Sequence, residues 1–111
     1  MKEFMFLFRG GMSTPSPEEI QRSMQRWGAW IQDLSKAGKF KSGLPLERGG
    51  KVVAGQNKLV TDGPFSESKE GVGGYLIVAA NNMTEAVEIA KGCPIFAEGG
   101  VVEVRTILPM M

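Results

Sequence analysis

A chain of 111 residues, 42% of them apolar, is long enough for one compact domain with its own core and too short for two of ordinary size. Lysines and arginines number 13 against 12 acids, and the net charge of +1 gives neither nucleic acid nor an anionic membrane surface an electrostatic footprint. A lone cysteine, Cys93, excludes an internal disulfide and points to the cytoplasm, and no apolar run approaches the roughly 18 residues that a membrane-spanning helix needs. The expectation is therefore one domain spanning residues 1–111, with a small molecule or a protein as its partner.

The opening MKEFMFLFRGG does not read as a secretory signal, because Glu3 interrupts the apolar run, Arg9 follows it and no small-residue cleavage site comes next. It reads as a first strand. Phe4, Phe6 and Phe8 alternate with Met5 and Leu7, so both faces are apolar and the strand is expected to be central. In GGMSTPSPEEI, Ser16 can act as N-cap, Pro17 as first helical residue and Glu19 as the reciprocal partner of a capping box. Ile20, Met24, Trp27, Ile31 and Leu34 then form one apolar stripe until Gly38 supplies a stop. KFKSGLPL looks extended, and KVVAGQNKLVT reads as a hairpin turning at Gly55, Gln56 and Asn57. Gly74 to Ala80 reads as a buried strand, Asn82 with Glu85 opens a second helix that runs to Lys91 and closes at Gly92, and Val101 to Leu108 is the last strand.

Strand, helix, strand with hairpin, strand, helix, strand is the split β-α-β order of an α+β, ferredoxin-like domain carrying an extra hairpin, in which two helices cover one face of an antiparallel sheet. The other face then needs cover. A homodimer that packs two such faces together supplies it.

The run TDGPFSESKE is unlike the rest of the chain. VTDGPFSESKE, the following GGYLIVAA and the helix MTEAVEIAKG, together with KEFMFLF, AGKFKSGLPL and VEVRTI, resemble the DGPF-type branch of the YCII-related family over nearly the whole chain. The resemblance implies a dimeric α/β barrel of ferredoxin-like subunits. It implies two readings of function: a small-molecule-binding protein or enzyme with a pocket near the DGPF run, or a non-catalytic regulatory or interaction protein, since some members are associated with extracytoplasmic-function sigma factors. Relatives of the YCII type carry a histidine on the first helix as half of a proposed histidine–aspartate dyad, and the corresponding position here is Trp27. With no histidine in the chain, that dyad does not carry over.

The candidate site residues divide by the task that each side chain can do. In the DGPF corner, Pro64 restrains Gly63 and Asp62 can tie the turn through backbone amides, with Phe65 plugging the core and Glu67, Lys69 and Glu70 in solvent. Alternatively, the corner aims Asp62, Ser66, Glu67 and Lys69 at one rim, where they offer a carboxylate, a hydroxyl and a cation. Trp27 and Trp30 are core residues on the simpler reading and stacking platforms on the other, and Arg9 either faces solvent or clamps an anion. GVGG lacks phosphate-loop spacing and precedes a strand, so its glycines are expected to permit a bulge. Cys93 has no histidine to activate it and reads as a buried filler, the methionines as core and end residues. No cofactor motif and no metal-ligand spacing is found.

Overall fold

The computed structural model describes residues 1–12, 14–47, 49–63 and 71–109. Its elements run β1 (Lys2–Arg9), α1 (Pro17–Lys36), β2 (Phe40–Pro45), β3 (Lys51–Ala54), β4 (Leu59–Asp62), β5 (Val72–Ala80), α2 (Met83–Lys91), a short 3-10 helix (Pro94–Glu98) and β6 (Val101–Thr106). β2, β5, β1 and β6 lie side by side in that order, and every neighbouring pair is antiparallel. With β1 and β5 at the centre and both helices on one face, this is the ferredoxin-like α+β arrangement.

Alternation along β1 decides what is buried. Phe4, Phe6 and Phe8 point at the helices and are buried, while Met5 and Leu7 between them face the other side of the sheet and are half-buried. Leu76 and Val78 of β5 lie beside the phenylalanines, and Leu34, Ala86, Ala90, Cys93 and Ile95 close the core from above. At roughly 1.5 to 3 kcal/mol for each fully buried side chain, Phe4, Phe6 and Val78 outweigh any single hydrogen bond of the sheet, worth about 1 kcal/mol.

Two irregularities aim side chains where simple alternation could not. Between Phe40 and Ser42 the register of β2 shifts, so that Phe40 pairs with Val78 on the helix side while Ser42 pairs with Ile77 on the other. Opposite Arg9, β5 skips Gly73, the pairing passing from Phe8 with Gly74 to Arg9 with Val72. This is the bulge that the glycines of GVGG lead one to expect.

Ser16 caps α1 through a reciprocal pair, its Oγ accepting from the Glu19 amide at 3.1 Å and its own amide donating to the Glu19 carboxylate at 3.0 Å. Those bonds hold the Glu19 carboxyl below the usual carboxylate range. Gly38, with φ of 74°, follows the last turn as a helix-stopping glycine should. α2 is capped by Asn82, which accepts from the Glu85 amide at 2.9 Å. Gly92 closes this helix with right-handed backbone, φ −82°, so left-handed geometry is not its reason; a Cβ there would stand 3.3 Å from Trp30 Nε1.

β3 and β4 pair only with each other, and all eight of their residues are exposed. The turn between them extends one residue beyond the expected Gly55, Gln56 and Asn57, to Lys58 in left-handed conformation, whose amide donates to Gly55 O at 3.1 Å. β6 ends at Thr106, short of the expected Leu108.

Candidate functional site

The apolar stripe of α1 does not lie flat on the sheet. Leu34 is buried, Ile31 and Trp27 are half-buried, and Ile20 and Met24, expected in the core, are 45% and 69% exposed. The helix thus separates from the sheet towards its N-terminal end. Between it and the ends of β2 and β5 lies a cleft of about 430 Å³, with Phe8, Trp27, Ile31 and Leu76 among its walls. Gly43 and Gly74 give the cleft a bare backbone floor. A Cβ on Gly43 would come within 2.6 Å of Tyr75 O, and one on Gly74 within 3.1 Å of Leu44 O. On the helix side, Gly28 lines the same space, and a Cβ there would meet nothing within 4 Å.

Ser23, Met24, Trp27 and Gly73 also wall a second recess of about 420 Å³, which Glu98 closes from the end of the 3-10 helix. The Glu98 side chain is only 8% exposed. A carboxylate so far from water needs donors, and three supply them. Ser23 Oγ donates to Oε2 at 2.6 Å, Arg26 Nη2 reaches the same oxygen at 3.4 Å, and Trp27 Nε1 donates to Oε1 at 3.4 Å. Arg26, half in solvent, balances the charge from outside. Chemically, the group is an oriented hydrogen-bond acceptor at the edge of an aromatic wall.

Trp27 is therefore shared by both cavities, and it packs edge-on against Phe8 at 4.9 Å and Trp30 at 5.8 Å. Packing and cavity wall are one role here. Trp30 stacks on Phe6 at 6.4 Å in the core layer and lines neither cavity. Arg9 lies on the opposite face of the sheet, its Nε and Nη2 both reaching Glu103 Oε1, at 3.3 and 3.0 Å, while Arg105 takes the other oxygen at 3.2 Å. These bonds, that from Arg9 first, hold the Glu103 carboxyl below its ordinary range. Asp62 ends β4 at 85% exposure, and its side chain pairs with Lys51 across the hairpin, while the amides beyond Gly63 expected to tie the corner lie outside the described residues. At the same end of the hairpin the Gly63 amide donates to Gly50 O at 2.8 Å. Pro64, Phe65, Ser66, Glu67, Lys69 and Glu70 lie outside the described residues. Of the described site candidates, Asp62, Trp27, Trp30 and Arg9, Trp27 alone lines either of these two cavities.

Ser23 and Glu98 were not among those residues. Ser23 does carry a signal, since it sits three after Ile20 and four before Trp27, a hydroxyl inside an apolar stripe. Cys93 is buried, and loss of solvent pushes its thiol up to about 11, against a weaker opposing bond from the Ile95 backbone. It is a filler, not a nucleophile. Among the described residues no three carboxylate or thiol groups converge as a metal site, and no helix is long and apolar enough to cross a membrane.

Fold and cleft together define an α+β protein of the ferredoxin-like type, and the chain belongs to the YCII-related domain family, whose profile matches residues 4–111. A solved structure with this fold is 5-chloro-2-hydroxyhydroquinone dehydrochlorinase from Burkholderia phenoliruptrix in complex with 2,5-dihydroxybenzoquinone, 18% identical over 97% of this chain and 95% of that one, with a TM-score of 0.51. At that identity the likeness is one of fold. No curated protein matches the chain significantly.

Proposed function

We propose that this protein binds a small, flat, largely apolar molecule in the cleft between α1 and the sheet, as a member of the DGPF-type branch of its family. The observation that carries the reading is the cleft itself: about 430 Å³, within the roughly 300 to 1,000 Å³ of small-molecule sites, with aromatic and aliphatic walls and the largely covered carboxylate side chain of Glu98 beside it. The structural neighbour, solved with a flat dihydroxybenzoquinone, supports the same class of ligand. A titration with two-ring aromatics followed by heteronuclear NMR tests it. Shifts of the Trp27 indole and Gly74 amide signals are expected, and the absence of any shift at millimolar ligand overturns the reading.

The protein acts as a cytoplasmic homodimer on this reading. Met5, Leu7, Tyr75 and Ile77 form an apolar patch on the face of the sheet away from the helices, and a second copy is the self-complementary cover for it. Sedimentation equilibrium checks this, and a monomer at micromolar concentration refutes it. A second reading, an interaction or regulatory protein, draws support from the hairpin, where Val53, Leu59 and Val60 are each more than half exposed. Deletion of residues 51–62 with ligand binding intact and the dimer lost would favour that reading.

A further inference from the structure

The second recess has a polarity that its hydrogen bonds dictate. Among the described residues, the side-chain donors on its wall are the Ser23 hydroxyl and the Trp27 indole N–H, and each has one proton to give. Both are given to Glu98, at 2.6 and 3.4 Å. Arg26, the third donor to Glu98, lines neither cavity. A carboxylate has room for about four hydrogen bonds. Oε2 accepts two here and Oε1 only one, so Oε1 keeps a lone pair. Ser23 Oγ, its proton committed, can only accept from anything further. What the side chains offer to an incoming molecule is thus acceptors alone, one of them charged.

We infer that the Ser23–Glu98 end of the recess is a donor-selective subsite, and that the molecule held in the neighbouring cleft carries a hydroxyl or amino group on its ring. This rests on the proposed use of the cleft and adds what the ligand must present. A ring hydroxyl directed at Glu98 Oε1 makes a hydrogen bond strengthened by the charge of the acceptor and by its removal from water. The methyl ether of the same ring would leave the carboxylate without its donor, and a ring carboxylate would set like charges against each other in a poorly solvated place. Met24 and Trp27, common to both cavities, allow one flat molecule to lie in the cleft while its polar substituent reaches the recess.

Methylnaphthalene, methoxynaphthalene, naphthol, naphthylamine and naphthoate, titrated against the intact protein by NMR, separate the terms. Naphthol, naphthylamine or both should bind at least tenfold more tightly than the ether, and naphthoate most weakly; whichever of the hydroxyl and the amine is tighter identifies the group. Glu98→Gln, which puts an amide donor where the carboxylate was, should abolish the advantage of naphthol over the ether, relieve the exclusion of naphthoate and leave methylnaphthalene unchanged. Should that variant fail to fold, the wild-type series decides alone. Equal affinity for naphthol, naphthylamine and the ether, with methylnaphthalene bound, overturns the subsite and leaves the cleft reading intact. No binding of any of the five overturns both.

Discussion

Gly28 lies well inside α1, where a glycine costs about 1 kcal/mol relative to alanine because its backbone loses the most freedom on becoming helical. Nothing in the packing demands it, since a Cβ at this position meets no atom within 4 Å. What lies there is the cleft. Gly28→Ala should therefore stabilise the protein by about 1 kcal/mol. With an unfolding entropy of roughly 2.1 cal/mol/K per residue over the chain, that raises the melting temperature by about 4 °C. Gly28→Leu should gain a similar amount from helix propensity, and its longer side chain should occupy the cleft and weaken methylnaphthalene binding at least tenfold. Differential scanning calorimetry reads the first effect and the NMR titration the second. Stability that rises while binding falls is the signature of a glycine kept for the space it leaves. A leucine variant that is stabilised yet binds unchanged would refute the placement of the ligand, and an alanine variant that is destabilised would refute the account of Gly28 itself.

Ser16→Ala removes one half of the capping box and should cost about 1 kcal/mol, while the Glu19 carboxyl, still accepting from the backbone amide of residue 16, should keep most of its lowered pKa, which NMR titration of the carboxyl would follow. Asp62→Ala breaks a pair exposed at both ends and should change stability by no more than about 0.5 kcal/mol in urea unfolding. Cys93 should resist a thiol-reactive disulfide reagent at pH 8 in the native protein and react at once in denaturant. Its raised pKa adds a sign: the stability gained by burying the neutral thiol is fully present below 9.0 and is lost as pH rises through about 11, so Cys93→Ser should flatten that alkaline decline.

Local signals announced the parts of this fold that local chemistry builds. Ser16 with Glu19, Asn82 with Glu85, the alternating phenylalanines of β1 and the glycines opposite Arg9 each carry their reason within a few residues. The candidate site was harder to read, because it is made by separation and by distance along the chain. Met24 and Ile20 have the periodicity of core residues, and nothing in their spacing says that the helix lifts away from the sheet above bare glycines at 43 and 74. Ser23 and Glu98 are 75 positions apart, and an acid in AEGG reads as surface until the 3-10 helix turns it inwards. Arg9 could be read as facing solvent or clamping an anion, and its bonds to Glu103 of the adjacent strand span 94 positions that no local pattern connects.

The order of strands in the sheet also sets a timetable. β1 pairs on one side with β5 and on the other with β6, and Arg9 and Glu103 on those strands are 94 positions apart. On a ribosome adding roughly 5 to 20 residues per second, β1 emerges on the order of five to twenty seconds before β6 exists to meet it. Throughout that interval it is a nascent segment with three phenylalanines, a leucine and a methionine in five consecutive positions and no charge among them, the composition of a self-associating strand. Lys2 and Glu3 before it and Arg9 after it are then gatekeepers, holding neighbouring chains apart while synthesis catches up.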